Sequence, residues 1–371
     1  MDEIKVDLIT TWEIKCGIAE YSKFLKNEID MINFLRMRIC PIKKPDSGNP
    51  LYFIKLIRII KNSQIIHIQY QPGIFGRMSI LHFSFSYFPL IMLILKLLKK
   101  NKIIITMHEF SLNSSTDKLM LKFLNFSDKL IVHNENLSKL LINHKISKDK
   151  IVIIPHGTIQ GKISNREECK KKLGISNKRA LTVFGFIHKN KGIDLLVDIL
   201  PKIDKDVILL IVGAPRLQIN NDYYSYLRKK SSNLNLQERV RFLGFIKEEE
   251  FPVVFNATDI AIFPYRWIIV SGALHIALGY EIPVIASDLD YFKEVKNRYD
   301  CIELFKKNNR DDLCEKIQKL LINEKKQKYL KKRCKKFYEK TSWKTAAKKT
   351  AQLYLELNYG DSIRTVSKKV K

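Results

Sequence analysis

Nothing in this chain provides for a disulfide framework or a zinc site. Its six cysteines, Cys16, Cys40, Cys169, Cys301, Cys314 and Cys334, are scattered over 371 residues with no C-x-x-C pair and no histidine cluster beside them, a usage that suits a reducing compartment. The basic, then apolar, then small-residue order of a secretory leader is missing from MDEIKVDLITTW, which carries acids and passes straight into a strand-like run. The expectation is a chain that folds from residue 1 and stays in the cytosol. No short fixed period recurs, so a solenoid is not indicated. With 46% hydrophobic residues the chain is neither disordered nor a single small module; it suffices for two packed α/β domains.

Acidic residues are the next scarcity. Lys plus Arg number 66 against 38 Asp plus Glu, so 66 − 38 gives a net charge of +28, and a negatively charged partner is expected. From Ser47 to His108 there is no Asp or Glu, while Lys55, Arg58, Lys61, Arg77, Lys96, Lys99, Lys100 and Lys102 alternate with aromatic residues. Genome-wide enrichment in Lys and Ile, with only 14 Gly, would raise the charge without cause in function, but would not clear one stretch of acids. Within that stretch, Ile80 to Lys100 approaches the ~20 residues of a bilayer span. His82, Ser84, Ser86 and Pro89 interrupt it and Lys96 lies inside it, which favours an interfacial or core-packed helix. A second basic block, Lys325 to Lys349, has Glu339 as its only acid among twelve basic residues.

Short runs rich in Ile, Val and Phe recur, each followed by helical periodicity, the pattern of βα units on parallel sheets. In the first half the expected strands are Val6–Thr10, MRICPI, Ile65–Gln69, Ile103–Met107, KLIVH and IVIIP; in the second, Ala180–Phe184, Val207–Val212, RVRFLG, Ile260–Pro264 and Pro283–Ser287. Between Pro155 and Lys178 the pattern lapses into a polar connection. The fold class expected is α/β, two facing doubly wound Rossmann-like domains joined near residue 165, with ligands beyond the carboxyl ends of the strands.

Several loops carry the residues such sites need. After the first strand, Gly17 opens a helix, and a glycine there lets backbone N–H groups approach a phosphate or hydroxyl. His108 and Glu109 stand at the carboxyl end of the fourth strand. In FGFIHKNKGIDLL, Gly185 follows a strand and Lys191-Gly192 stand at a helix entrance, where N–H groups and an ammonium suit a diphosphate. After IAIFP, Ser271 and Gly272 open another helix near Arg266, a second anion nest.

Together these stretches resemble the GT-B fold glycosyltransferases of glycosyltransferase family 4, nucleotide-sugar-dependent retaining enzymes. The likeness is carried by WEIKCGIAEYS, IIHIQYQPGIFG, ITMHE, DKLIVHNE, IPHG, the G-x-x-x-x-x-K-G of Gly185 to Gly192, the SGAL-to-PVIASD block, and TSW at Thr341 to Trp343 before a last helix ending in LYLEL. The resemblance implies an acceptor-binding domain over 1–165, a nucleotide-sugar-binding domain over 166–340, a helix over 341–358 crossing back to the first domain, and a flexible basic tail over 359–371. It implies that Gly17 lies near the donor phosphates or transferred sugar, that His108 faces the reacting sugar, and that Lys191 neutralises the diphosphate. Gly185, Arg266, Ser271 and Gly272 join the donor side. Glu294, just after a strand, is a candidate for the ribose; Gln69, Tyr70 and Glu109 fall on the acceptor side.

The family pattern is incomplete. Many members carry two glutamates with seven residues between them before the strand that reads PVIAS; Ile268 and Ile276 occupy those positions here, as in a branch with SGAL and no first glutamate. The arginine often following the glycine of the diphosphate motif is Phe186. The expected donor is a nucleotide-diphosphate sugar, with no tightly bound cofactor and no metal. The expected acceptor is a glycan or lipid-linked hydroxyl at an anionic membrane surface, with each basic residue near it contributing roughly 1 kcal/mol. No nucleic acid partner is expected. A nucleotide-sugar epimerase or phosphorylase on the same fold, a basic nucleic-acid-binding protein and a non-catalytic partner subunit are the alternatives.

Overall fold

A computed structural model describes residues 3–360 except 15, 46, 61–62, 77, 81–82, 99–100, 111–114 and 216–220, with backbone alone at 50, 78–80, 83–85 and 115–119. The chain divides into two compact units. One comprises Met1–Gly157 with Trp343–Lys371, the other Thr158–Ser342.

In the first unit the elements run β1 (Ile4–Thr11), α1 (Gly17–Asp30), β2 (Leu35–Ile42), α2 (Pro50–Ile59), β3 (Ile65–Tyr70), β4 (Met78–Ile80), β5 (Phe83–Phe85), α3 (Phe88–Leu98), β6 (Lys102–Met107), α4 (Ser115–Leu124), β7 (Lys129–Val132), α5 (Glu135–Asn143) and β8 (Ile151–Ile153). Six strands form one sheet in the order β2-β1-β3-β6-β7-β8, all pairs parallel. Strands covered on both faces need continuous apolar runs, and β3 and β6 supply them: every residue of β3 and five of six in β6 are buried. The order reverses between β1 and β3, so the loops after them leave the sheet at its switch point. Helix α1 is capped by Cys16, whose Sγ accepts the Ala19 N–H, and buries Ile18, Tyr21, Ser22, Leu25 and Ile29 along one stripe.

The second unit runs α6 (Arg166–Lys172), β9 (Arg179–Phe184), α7 (Ile193–Ile199), β10 (Val207–Val212), α8 (Asn221–Asn233), β11 (Val240–Gly244), α9 (Phe251–Ala257), β12 (Ile260–Phe263), α10 (Gly272–Gly279), β13 (Val284–Ser287), α11 (Asp290–Tyr299), β14 (Ile302–Phe305), α12 (Arg310–Ile322) and α13 (Glu324–Thr341). Its sheet order is β11-β10-β9-β12-β13-β14, the 3-2-1-4-5-6 arrangement of dinucleotide-binding folds, with its switch point between β9 and β12.

After α13 the chain re-enters the first unit as α14 (Trp343–Tyr359). Trp343 stacks on Phe24 at 5.4 Å between centroids and meets Tyr21 edge-on at 4.9 Å, both from α1. A Cβ on Gly157 would fall 2.0 Å from the Trp343 ring, so only glycine fits beneath the indole.

Three sequence expectations change. Residues 158–165 group with the second unit rather than the first, because the Thr158 N–H donates to Thr341 O and the Gly161 N–H to Gly279 O, at 2.8 and 2.9 Å. The apolar stretch Ile80 to Lys100 is helical only from Phe88; alternation of apolar and serine residues before it makes the antiparallel pair β4–β5 instead. Strand β14 and the helix α6 inside the polar connection are additions. Lys61, Arg77, Lys99, Lys100, His82 and the tail from 361 onward lie outside the described residues, and the side chains of Phe83 and Phe85 are likewise not described.

Candidate functional site

Each unit gathers its singled-out residues at the carboxyl ends of its strands, and the two gatherings differ in chemistry. In the first unit, His108 follows β6, His133 follows β7 and His156 lies three residues past β8. Tyr21 touches all three, at 4.6, 5.3 and 5.2 Å between ring centroids. His108 and His133 are 5.2 Å apart, His133 and His156 5.7 Å, and Trp343 closes the cluster 5.4 Å from His156.

Every imidazole in this cluster is held neutral. Burial is the main cause throughout: His108 is pushed well below its ordinary value, with His133, His156 and His67 adding repulsion. His133 falls to about 4 and His156 to about 3. His133 Nδ1 donates to Ile154 O at 2.9 Å, and its buried Nε2 has no hydrogen-bond partner. His156 Nδ1 donates to Gly157 O at 2.7 Å. His108 Nε2 lies 2.6 Å from Gln69 Oε1, so Gln69, expected on the acceptor side, turns its amide onto His108. Tyr70 is buried against Phe75 and Phe88. Glu109 accepts from the Gln71 amide at 2.5 Å. Gly17 begins α1 with open space where a Cβ would stand.

In the second unit the loops after β9 and β12 converge. Gly192 adopts φ +62°, and a Cβ there would fall 2.0 Å from Pro264 O, so the residue must be glycine for the Lys191 loop to press against the end of β12. Lys191 Nζ sits 3.7 Å from the centroid of the Tyr265 ring, a cation–π contact in place of a counter-ion. Desolvation pushes its ammonium down to about 7. Ser271 caps α10, its Oγ accepting the Leu274 N–H at 3.2 Å, and α10 begins at Gly272, presenting the unpaired N–H groups of a helix start. The Tyr265 hydroxyl is buried without a hydrogen-bond partner among the described residues, and its ring packs in the same apolar cluster as Leu274 of α10. Gly185 takes φ +119° and donates to Val212 O at 2.9 Å.

Arg266 serves the loop itself. Its guanidinium grips both oxygens of Asp194 at 2.8 and 2.6 Å and donates to Lys189 O at 2.7 Å; Tyr223 completes the cluster on Asp194 at 2.6 Å. Arg266 also lines a cavity of about 610 Å³ with Leu195, Lys307, Asn308, Asn309 and Arg310. Glu294 is half-buried on α11, beside the Tyr291 and Tyr299 hydroxyls. Ile268 and Ile276, standing where many relatives of this pattern have glutamates, pack on the apolar core around Phe263 and Leu274.

The sequence contains two Asp-x-Asp triplets that the expectation of a metal-free site passes over. Asp204 and Asp206 both hold Arg179, at 2.7 Å. In the other, Asp288 accepts the Lys307 N–H at 2.8 Å and Asp290 opens α11. Among the described residues no group of three His, Cys, Asp or Glu side chains is arranged to hold a metal ion.

Sequence reasoning missed Tyr21, His133, Trp343, Tyr265 and Tyr291 as site residues. His133 was within reach, since it follows a strand as His108 does; the tyrosines had no such signal. Tyr291 Oη meets His275 Nε2 of α10 at 3.0 Å. His275 Nδ1 in turn meets Thr158 Oγ1 at 2.7 Å, and that hydroxyl meets Thr341 Oγ1 at 2.7 Å. The start of α10 is thereby tied to the two ends of the second unit.

Comparison with known proteins agrees with this geometry. Residues 165–337 match the family model of glycosyl transferases group 1. Spore coat protein SA of Bacillus subtilis (strain 168) is 26% identical over 211 residues, 54% of this chain and 54% of that protein; the matches span about half the length of the first curated relatives. The crystal structure of Anabaena Alr3699/HepE in complex with UDP and glucose superposes with a TM-score of 0.78 over 95% of this chain and 99% of that one, at 15% identity. Sucrose-phosphate synthase from Thermosynechococcus elongatus gives 0.78 over 96% and 99%, at 17% identity. Residues 165–337 are therefore a glycosyl transferases group 1 domain, and the chain as a whole shares the GT-B fold of these structures.

Proposed function

We propose that this protein transfers a sugar from a nucleotide-diphosphate sugar to a hydroxyl of a glycan or lipid-linked acceptor, with retention of configuration and without a metal, at the cytosolic face of a membrane. The observation that carries the reading is Lys191, desolvated over Tyr265 next to the Ser271-capped start of α10. Among the described residues no carboxylate pairs with this ammonium, which is thereby poised for an anionic ligand, and the helix entrance offers that ligand N–H donors.

As the bond from the anomeric carbon to the diphosphate oxygen breaks, negative charge grows on the phosphates. Lys191 and the first N–H groups of α10 stabilise it electrostatically, already oriented before the reaction. The electron-deficient sugar then accepts the acceptor hydroxyl on the face the diphosphate leaves, and the departing phosphate oxygen takes the hydroxyl proton. His108 stays uncharged, so it can hydrogen-bond the sugar without adding positive charge beside an oxocarbenium-like centre. HepE carries UDP and glucose in its crystal structure, which makes UDP-glucose the first donor to try.

The membrane part of the reading rests on α2 and α3. Leu90, Leu93, Leu97 and Leu98 of α3 are exposed, Leu97 at 71%, as are Leu51 and Ile59 of α2. Lys55, Arg58 and Lys96 are exposed on the same two helices, within the interval that has no acid. Apolar side chains ringed by cations fit the boundary between acyl chains and anionic headgroups. Among the described residues no helix is long and apolar enough to cross a membrane.

The deciding experiment is a thermal-shift panel of UDP, GDP, ADP, CMP and dTDP species on wild type and Lys191→Ala, followed by product analysis with the stabilising donor. Stabilisation by one nucleoside diphosphate that disappears in the variant is expected; no shift with any of them overturns the donor assignment. Flotation with phosphatidylglycerol vesicles against phosphatidylcholine vesicles tests the membrane part. Leu93→Ser with Leu97→Ser is expected to abolish flotation, and equal flotation on both lipids overturns the anionic-surface reading.

A further inference from the structure

A chain of buried hydrogen bonds runs from His108 to the helix that returns from the far end of the sequence. His108 Nε2 meets Gln69 Oε1 at 2.6 Å; Gln69 Nε2 meets His67 Nε2 at 3.4 Å; His67 Nε2 also meets Thr106 Oγ1 at 2.7 Å; and His67 Nδ1 meets Tyr354 Oη at 2.6 Å. Gln69, His67, Thr106 and Tyr354 are all fully buried, so water cannot substitute for a missing partner.

The proton positions follow from the donor and acceptor inventory. An amide oxygen only accepts, so the proton of neutral His108 is on Nε2 and its Nδ1 is a lone pair. An amide nitrogen only donates, so His67 Nε2 is a lone pair, which also accepts the Thr106 hydroxyl. The proton of His67 is therefore on Nδ1 and is donated to Tyr354. Turning the Gln69 amide over would reverse every one of these assignments together, with Tyr354 then donating. His108 and His67 can change tautomer only in concert, and the group at the end of the chain biases which set is populated.

We propose that Tyr354 is a positioning residue that sets the tautomer of His108, acting through His67 and Gln69. The kinetic consequence rests on the reading of His108 as the group that meets the transferred sugar; the tautomer linkage itself does not. Which ring nitrogen of His108 offers a lone pair decides whether the imidazole accepts from a sugar hydroxyl or donates to one, and a wrong tautomer can cost an enzyme a factor of about 10⁴.

The test is ¹⁵N-histidine NMR of the full chain, in wild type, Tyr354→Phe and Gln69→Glu. Wild type is expected to show His108 protonated on Nε2 and His67 on Nδ1. In Tyr354→Phe the His67 Nδ1 proton loses its buried acceptor, so both rings are expected to move together toward the opposite tautomer. A shift of His67 with His108 unchanged, or no shift in either, overturns the proposal. Gln69→Glu, whose carboxylate only accepts, is expected to drive His67 to the Nε2 tautomer while His108 keeps its Nε2 proton; His67 remaining on Nδ1 is equally fatal, and this arm stands if Tyr354→Phe does not fold. Once the donor is known, Tyr354→Phe is expected to lower kcat roughly 10-fold or more while nucleotide affinity stays within about 2-fold, because the donor nest is in the other unit. An enzyme with unchanged kcat but a moved tautomer would sink the reading of His108 and leave the linkage intact.

Discussion

At the ends of β6, β7 and β8 the first unit collects uncharged rings: three imidazoles around Tyr21, with Trp343 across them. At the ends of β9 and β12 the second unit places one ammonium over an aromatic face, beside a helix start. Both lie at the carboxyl ends of parallel strands, the second at its sheet's switch point, so the same topology hosts two electrostatic designs. A group that must bind a dianion benefits from positive charge held out of water, whereas a group beside a cation-like sugar is best kept neutral, and burial without a counter-ion serves both ends. Desolvation lowers the pKa of an imidazole and of an ammonium alike. Starting from 6.5 it leaves histidine neutral at physiological pH; starting from 10.5 it leaves Lys191 near 7, where a phosphate can readily restore its proton.

The contrast can be broken in stages. The largest effect is expected from Trp343→Ala, which removes the indole packed on Tyr21, Phe24 and Gly157. A loss of roughly 3–5 kcal/mol is expected, confined to the first unit, so calorimetry should show one transition lowered and the nucleotide-stabilised one unmoved. A common drop in both would erase the distinction between the units.

Acid is the next lever. His67 and His133 have folded pKa values of about 3 and about 4, below their ordinary 6.5, so between pH 6.5 and 4 the unfolded chain binds protons that the folded chain refuses. Stability is therefore expected to fall with pH across that window, by up to about 1.4 kcal/mol per pH unit for each buried imidazole. Urea midpoints at pH 7, 5.5 and 4.5 check this, and the slope should shrink in His67→Gln. A midpoint that does not move would mean the cluster admits water.

Smaller still is the exchange of roles between Lys191 and His108. Removing a charge-assisted contact costs roughly 1.5–3 kcal/mol, so Lys191→Ala is expected to weaken nucleoside diphosphate binding by about 10- to 100-fold, while His108→Ala leaves it unchanged; titration calorimetry separates them. The finest measure is the proton itself. With Lys191 near 7 in the free protein, diphosphate binding above pH 7 is expected to take up a fraction of one proton, read from the dependence of binding enthalpy on buffer ionisation, and Lys191→Arg should abolish the uptake because arginine never gives its proton up.

Much of this was readable in the residues. Runs such as Val207–Val212 announce a strand covered on both faces, and eleven of the twelve strands in the two large sheets were expected. Strand β14 escaped because in Ile302–Phe305 Glu303 interrupts a four-residue run. The places of Lys191, Ser271 and Gly272 at helix entrances were legible because such entrances have local signatures. The pairing of Arg266 with Asp194 escaped, since the two are 72 residues apart and nothing local announces it. The same holds for the imidazole cluster and for Tyr354, which meets His67 across 287 residues. Motifs reveal what a loop can bind; long-range packing decides how the side chain is protonated and aimed.

The interruption of the first unit by the second has a consequence for the order of synthesis. Thr158 to Ser342, 185 residues by 342 − 158 + 1, must be translated before the ribosome reaches Trp343. At about 5–20 residues per second that is on the order of ten to forty seconds. Through that interval Tyr21, Phe24 and His156 lack their indole cover, and His67 lacks the hydroxyl of Tyr354. The second unit, contiguous in sequence, can complete its core first. The nascent chain thus passes through a stage in which the second unit is whole and the imidazole-bearing unit still waits for α14, so the cluster of buried rings is completed only as that helix emerges.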